Sequence, residues 1–307
     1  MAWATLAAQV AIVVTGAGVR LTGSGLGCTD WPGCQQDQLV PAWGFHPWVE
    51  FGNRLVSFAV VAAAGVAVLG ARRRRPYRAA LVRLSWGQVG GVIAQALVGA
   101  VLVRLELDPR LTLAHFVLSL VLIADATALV HLSGADVARA PSEPAAPPVG
   151  TGLRAVVWLL SAAVVVLVGT GTVVTGSGPH GGDERAERFD YTLRSVARIH
   201  AGALWLFAAV LVVMAVMVWR QGPRASRLRP PLNALLALTG AQAALGYLQY
   251  ALGVPAGLVA LHVLGSTLVW ACTVALLLAA VIPTSEPSAV VAEDHPVTRS
   301  GPVLSAR

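Results

Sequence analysis

Lysine is absent from this chain, and charged residues of either sign are scarce. All 22 basic residues among the 307 are arginine, and only 15 residues are acidic. Charged residues make up 12% of the sequence, about half the share found in soluble domains. Hydrophobic residues make up 56%, and the mean hydropathy is +0.70. This composition excludes a soluble globular protein and indicates a protein embedded in a membrane.

Long apolar segments are what the sequence has in abundance. A helix that crosses a bilayer needs about 20 mostly apolar residues, and eight segments reach that length. We therefore predict an all-α integral membrane protein with eight transmembrane helices. Because no basic residue precedes the first segment, we expect it to be retained and not cleaved as a signal peptide. The predicted helices cover approximately 2–20, 49–70, 80–103, 111–132, 154–175, 195–219, 231–252 and 257–282.

The net charge of +7 comes from arginines in loops on one side of the predicted bundle. Basic loops face the cytoplasm in multi-pass proteins, so this charge does not require a nucleic-acid partner. The sequence thus predicts a multi-pass protein with both termini in the cytoplasm. The arginines of these loops are Arg72–Arg75 and Arg78 after the second helix, and Arg220, Arg224, Arg227 and Arg229 after the sixth.

The chain repeats itself. LTLAHFVLSL at 111–120 resembles LVALHVLGST at 258–267, and a step of 147 residues places His115 on His262. TGSG also occurs twice, at 22–25 and 175–178. Each unit has four helices, so both insert with the same orientation and form pseudo-symmetric parallel repeats. The predicted organisation is an N-terminal half at 1–132, a cytoplasmic linker at 133–153, a C-terminal half at 154–282 and a disordered tail at 283–307.

Four polar residues lie at one predicted depth near the outer ends of the even-numbered helices. They are Asn53, His115, His200 and His262, and each half contains two of them, 62 residues apart. Two imidazoles that face each other across a four-helix bundle suit axial ligation of haem iron. Gly52, Gly202 and Gly265 would leave room for a flat macrocycle. Alternatively, each histidine hydrogen-bonds a neighbouring helix and binds nothing.

Other candidate residues lie near the same face and leave alternatives open. Glu50 either forms an i,i+4 ion pair with Arg54 or serves as a carboxylate that accepts a proton beside the first site. Arg54 and Arg198 either bind haem propionates or anchor the helices at the interface. Cys28 and Cys34 flank a Trp-Pro-Gly turn and form either a disulfide or two free thiols. We interpret Asp125, deep in the fourth helix, as the partner of an inner-loop arginine.

These motifs together resemble the haem A synthase family over about residues 1–282. The resemblance rests on six segments: TGSGLGCTDWPGC (22–34), VEFGNR (49–54), LAHFVLS (113–119), TGSGPHGGD (175–183), RIHAG (198–202) and LHVLGST (261–267). It implies a bacterial membrane enzyme that oxidises the C8 methyl of haem O to a formyl group, which gives haem A for terminal oxidases. By pathway logic alone we expect a haem O synthase as a partner, and the sequence is compatible with an oligomer.

The resemblance implies a role for several residues. His200 and His262 would ligate a haem b in the second half. His115 would ligate the haem O substrate in the first half, where Glu50 would be required for activity. Cys28 and Cys34 would form the outer-loop disulfide of the family, while the second outer loop lacks the further cysteine pair of some members.

Asn53 departs from the family pattern, which has histidine at that position. Asparagine is a poor ligand of haem iron, so His115 would be the single protein ligand in the first half. We therefore predict a six-coordinate haem in the second half and a five-coordinate or water-ligated haem in the first. The departure is also compatible with a first half that has lost catalysis. Two other functions stay open: a b-type electron-transfer protein, and a haem carrier or exporter.

Overall fold

The computed structural model describes residues 1–31, 33–35, 38–134 and 149–282. Eight long α-helices and one short 3₁₀ helix, Gly222–Leu228, account for most of them. Most of the predicted linker and the whole predicted tail lie outside the described residues, so both stay predictions. The long helices are α1 (Ala2–Leu21), α2 (Phe45–Arg73), α3 (Ala79–Arg104), α4 (Pro109–Gly134), α5 (Thr151–Ser177), α6 (Leu193–Arg220), α7 (Arg229–Ala251) and α8 (Ala256–Val281).

The prediction of an all-α integral membrane protein is confirmed. Seven helices within the described ranges are long and apolar enough to cross a membrane. The remaining long helix, α7, occupies the seventh predicted span but is less apolar. Its 23 residues include an asparagine, two glutamines and two tyrosines, and these polar groups lower its mean hydropathy.

Local sequence signals set the helix ends. Asp108 precedes α4 and accepts a hydrogen bond from the backbone N–H of Arg110 at 2.7 Å, as an N-cap residue does. α1 ends where Gly23 adopts φ +66°, and α7 ends where Gly253 adopts φ +76°. At both ends the amide of the residue after the glycine hydrogen-bonds back to the helix. At the end of α1, for example, Ser24 N–H donates to the Val19 carbonyl at 2.9 Å. Glycine terminates helices in this way because it tolerates positive φ.

The helices pack as two groups of four. α1 contacts α2 and α4, and α3 lies between α2 and α4; in the second group α5 contacts α6 and α8, and α7 contacts α8. α8 also packs against α1 and α4, which joins the two groups. This packing is the arrangement expected of two four-helix repeats, although the predicted boundaries of the halves stay a prediction.

Loops from the two halves meet at one end of the bundle. The backbone N–H of Gly25 donates to the Gly182 carbonyl at 2.8 Å, and Arg20 donates to the Thr175 carbonyl at 2.6 Å. At the other end Arg78, in the short turn after α2, donates to the Leu132 carbonyl of α4 at 2.8 Å. The first end is the predicted outer face, and the second carries the arginine-rich turns.

The interiors of the two halves differ in polarity. In the first half Gln9 donates to Gln88 at 2.8 Å, and Gln88 donates to Asp125 at 2.7 Å. A step of 147 residues places Leu235 at the position of Gln88, and Leu235 is fully buried in an apolar cluster. The expected arginine partner of Asp125 is therefore a wrong prediction. A glutamine inside the bundle reaches the carboxylate, while the loop arginines lie at the helix ends.

Candidate functional site

The four predicted site residues lie at similar depths below the outer face. His115 is the sixth residue after the start of α4 and His262 the sixth after the start of α8. His200 is the seventh after the start of α6, and Asn53 the eighth after the start of α2. With a rise of about 1.5 Å per residue, all four lie roughly 9–12 Å into their helices. The structure therefore places them in one layer near the outer ends.

His200 and His262 come together between α6 and α8. Their ring centroids are 6.4 Å apart and the ring planes meet at 79°. Because an imidazole nitrogen lies about 2 Å from the metal that it binds, rings on opposite sides of one metal ion have centres roughly 6 Å apart. The observed separation fits two axial ligands of one iron.

The hydrogen bonds of His200 determine which of its nitrogens is available. Its Nδ1 lies 3.1 Å from the Leu167 carbonyl and 3.2 Å from Thr170 Oγ1. A carbonyl can only accept, so Nδ1 carries the proton and Nε2 keeps its lone pair. Metal-binding histidines commonly donate their other ring N–H to a backbone carbonyl in this way. α5 therefore orients His200 so that Nε2 is available to bind a metal.

Glycines border three of the imidazoles. A Cβ on Gly171 would lie 3.0 Å from Cε1 of His200, and one on Gly246 would lie 3.3 Å from Cε1 of His262. In the first half, a Cβ on Gly99 would lie 3.6 Å from Cε1 of His115. Gly99 and Gly246 correspond in the repeat, so both halves clear space beside the same histidine. We did not identify this contact from the sequence, although the matched glycines were the available signal.

His115 and His262 have no hydrogen bond from Nδ1 to any other part of the chain that the structure describes, and both atoms are buried. Such orphaned nitrogens are uncommon in folded proteins. They are expected where a ligand completes the site. The orphaned nitrogens are compatible with a ligand in both halves, whereas the ring separation concerns the second half alone.

Matched glutamines lie beside these histidines: Gln95 ties α3 to α4, and Gln242 of α7 packs against α8. Gln95 donates to the His115 carbonyl at 3.0 Å and to Ser119 Oγ at 2.6 Å. The corresponding Gln242 lies so close to Gly265 that a Cβ there would overlap its amide. Gly265 therefore makes room for Gln242, and our prediction that it makes room for a macrocycle is not supported. Gly52 and Gly202 have open space where a Cβ would lie.

Asn53 faces α1 instead of a second imidazole. Its Oδ1 accepts a hydrogen bond from Thr15 Oγ1 at 2.8 Å, a contact that sequence reasoning missed. A cavity of about 320 Å³ lies beside it between α1 and α2, and neither Glu50 nor His115 lines it. The lining residues are Thr15, Gly18, Thr22, Trp48, Val49, Gly52, Asn53 and Val56.

Glu50 and Arg54 are joined to the first outer loop. Glu50 is only 5% exposed; its Oε1 accepts from Arg54 at 2.6 Å and its Oε2 from the backbone N–H of Cys28 at 2.7 Å. Arg54 also donates to the carbonyls of Asp30 and Gly33. The i,i+4 ion pair is therefore present, and the guanidinium faces the loop.

The predicted disulfide between Cys28 and Cys34 is confirmed. It closes the loop whose backbone contacts Glu50, so the loop and the carboxylate form one unit. Arg198 lies on α6, two residues before His200, and is exposed. Its predicted role toward a propionate, like that of Arg54, stays a prediction.

Comparison with known proteins identifies a family whose members this chain resembles. A family model described as cytochrome oxidase assembly protein (COX15-CtaA) matches residues 1–46 and 43–179. The chain is 35% identical over 176 residues to a heme A synthase of Symbiobacterium thermophilum, an alignment that covers 56% of each protein. It is 37% identical over 107 residues to a heme A synthase of Geobacillus thermodenitrificans, covering 34% of this chain and 32% of that protein. The aligned parts thus span from about a third to just over half of these relatives.

Proposed function

Because the chain belongs to the cytochrome oxidase assembly protein family, we propose that it is a haem A synthase. In this proposal the protein oxidises the C8 methyl of haem O to a formyl group and so produces haem A for terminal oxidases. The proposal draws on relatives named heme A synthase. The structural observation that supports it most is the 6.4 Å separation of the His200 and His262 rings, which suits a bound haem.

The second half holds haem b as its resident cofactor. His200 and His262 would hold this haem, and the Leu167 carbonyl fixes the tautomer of His200. A haem held by two protein ligands would supply electron transfer.

The first half holds the substrate. His115 is the protein ligand, and Gln95 fixes the backbone of α4 at that residue. Asn53 does not replace the missing imidazole, because its Oδ1 is engaged by Thr15 and an amide is a weak ligand of iron. One axial position of the substrate iron is left without a protein ligand, which is the arrangement that suits chemistry over electron transfer.

Glu50 is the proton acceptor of the first half. Conversion of a methyl to a formyl group adds one oxygen; with water as its source, the reaction releases four protons and four electrons. It therefore needs an external electron acceptor as well as a base that takes up protons near the substrate. Glu50 lies one helical turn before Asn53, and Cys28 and Arg54 hold both of its oxygens. A positioned carboxylate of this kind is suited to general base catalysis.

The protein works as a multi-pass protein of a bacterial cell membrane, with both termini and the arginine-rich turns on the cytoplasmic side. The sites then lie near the opposite face. A haem O synthase is the partner that supplies the substrate, and assembly into an oligomer is compatible with the exposed apolar faces of the helices.

Co-expression tests the proposal. Cells that make haem O should accumulate haem A when they express the wild-type chain, as measured by chromatography and mass spectrometry of extracted haems. Cells that express Glu50→Gln should accumulate haem O. If the purified wild-type protein retains haem b but never yields haem A, the protein is an electron carrier or a haem carrier and the proposal is wrong.

A further inference from the structure

Two arginines from different halves lie beside each other at the outer face. Arg20, in the last turn of α1, donates from Nη2 to the Thr175 carbonyl at 2.6 Å, and Arg188 donates from Nη1 to the Gly178 carbonyl. Adjacent glycines bring them close: a Cβ on Gly181 would lie 3.3 Å from Nη2 of Arg188, and one on Gly182 would lie 3.6 Å from Cγ of Arg20. Arg188 lies within electrostatic range of Arg20.

Neither arginine has an acidic partner among the described residues, where the ion pairs are Glu50–Arg54 and Asp183–Arg185. Asp183 is close in sequence but is engaged, because the guanidinium of Arg185 hydrogen-bonds it and holds the pKa of the carboxyl below its ordinary value. The Nε atom of Arg20 is buried and has no hydrogen-bond partner within the described residues. Like charges in a partly buried setting are costly unless an anion accompanies them.

The position of this pair relates it to the histidine layer of both halves. Arg20 follows Thr15, which contacts Asn53, by five residues on α1; Thr175 follows Thr170, which contacts His200, by five residues on α5. Five helical residues rise about 7.5 Å. The guanidinium of Arg20 therefore lies at the seam of the halves, above the histidine layer and toward the outer face.

A porphyrin whose ring lies in the histidine layer has its two propionates at one edge. Carboxylates bind best to the planar fork of arginine. We propose that Arg20 and Arg188 form a carboxylate site that binds a propionate of the haem in the first half, with the buried Nε of Arg20 as one donor. The first half is favoured because α1 carries both Arg20 and the Thr15 that contacts Asn53. This inference rests on the proposed function, since it requires a porphyrin in that half.

The two arginines also satisfy carbonyls at the end of α5, as basic residues near helix C-termini do. A purely structural role would therefore affect the binding of any porphyrin equally. A propionate site would affect only porphyrins that carry a free carboxylate. This difference separates the two roles.

The test compares protohaem with its dimethyl ester as probes of the purified full-length protein. Binding is followed by the absorption changes at each haem, which are assigned to the halves with His115→Ala and His262→Ala. The wild type should bind protohaem to the first half about 10- to 100-fold more tightly than the ester, the range expected of one charge-assisted contact. Arg20→Gln and Arg188→Gln should reduce this preference, while Arg194→Gln, an exposed arginine at the start of α6, should keep it.

Three results would overturn the inference: a wild type without any preference, variants that retain the full preference, or variants that bind both probes more weakly by one factor. Arg20→Lys is a second variant that guards against misfolding, because it keeps the positive charge at this position. It should retain only part of the preference for protohaem over the ester. If the wild type binds no porphyrin through His115, the proposed function of the first half fails as well. Binding with an unchanged preference in the variants defeats this inference alone.

Discussion

Gly246 lies directly beside the imidazole of His262, where a Cβ would come within 3.3 Å of Cε1. A larger side chain at this position would push the ring out of line with His200. Gly246→Val should therefore speed the loss of haem from the second half by about 10- to 100-fold, the usual effect of disturbing a ligand's support.

The control is Gly240→Val, on the same helix. A Cβ at Gly240 would meet nothing within 4 Å. Gly240→Val therefore has the same effect on helix propensity as Gly246→Val but does not crowd a histidine. Haem transfer to apomyoglobin measures the loss rate. Equal rates for both variants would show that the space beside His262 is unimportant.

Asn53→His restores a second imidazole to the first half. We expect the first haem to become six-coordinate and low-spin, and haem A formation to fall, because the open axial position is filled. Resonance Raman spectroscopy reports the coordination, and extracted haems report the activity. Asn233→His, at the exposed inner end of α7, should change neither. An Asn53→His protein with wild-type spectrum and turnover would remove the basis of our coordination assignment.

Glu50→Gln keeps the size of the side chain and removes its ability to take up a proton. Haem content should remain, while haem A formation should fall by about 10²- to 10⁴-fold, the usual contribution of a general base. Thiol alkylation should show that the Cys28–Cys34 disulfide still forms, which separates a chemical defect from a disturbed loop. Glu187→Gln, on the exposed second outer loop, is the matched control. Full activity in Glu50→Gln would exclude the carboxylate as the base.

The hydrogen-bonded polar groups in the interior of the first half should contribute to the stability of the protein. Gln88→Leu copies the second-half residue Leu235 but leaves Asp125 and Gln9 without their partner. It should lower the free energy of unfolding by about 1–3 kcal/mol, the cost of unsatisfied buried groups. Adding Asp125→Cys and Gln9→Ala should recover most of the loss, because the unpaired groups are removed. Thermal unfolding in detergent measures both; a further drop in the triple variant would contradict this explanation.

The parts of the fold that depend on helix length and repetition could be predicted from the sequence. Apolar segments located all eight helices, and the repeat placed His115, His200 and His262 in one layer. The helices begin up to four residues earlier than predicted, as at Phe45 and Thr151, because capping and turn geometry extend them beyond their apolar parts.

Contacts between distant segments could not be predicted. Neither the bond from Thr15 to Asn53 nor the approach of Cys28 to Glu50 leaves a periodic signal. Each depends on how loops and helices from different parts of the chain pack. The error about Asp125 has the same origin: a charge within a bundle pairs with the nearest donor in space, which was Gln88.

We propose above that His200 and His262 bind one iron between them. Electron paramagnetic resonance of the oxidised, haem-loaded protein tests it most directly. We predict a low-spin signal typical of two imidazole ligands that survives in His115→Ala and disappears in His200→Ala and in His262→Ala. A wild type without this signal, or a signal that persists in both His200→Ala and His262→Ala, would contradict the account.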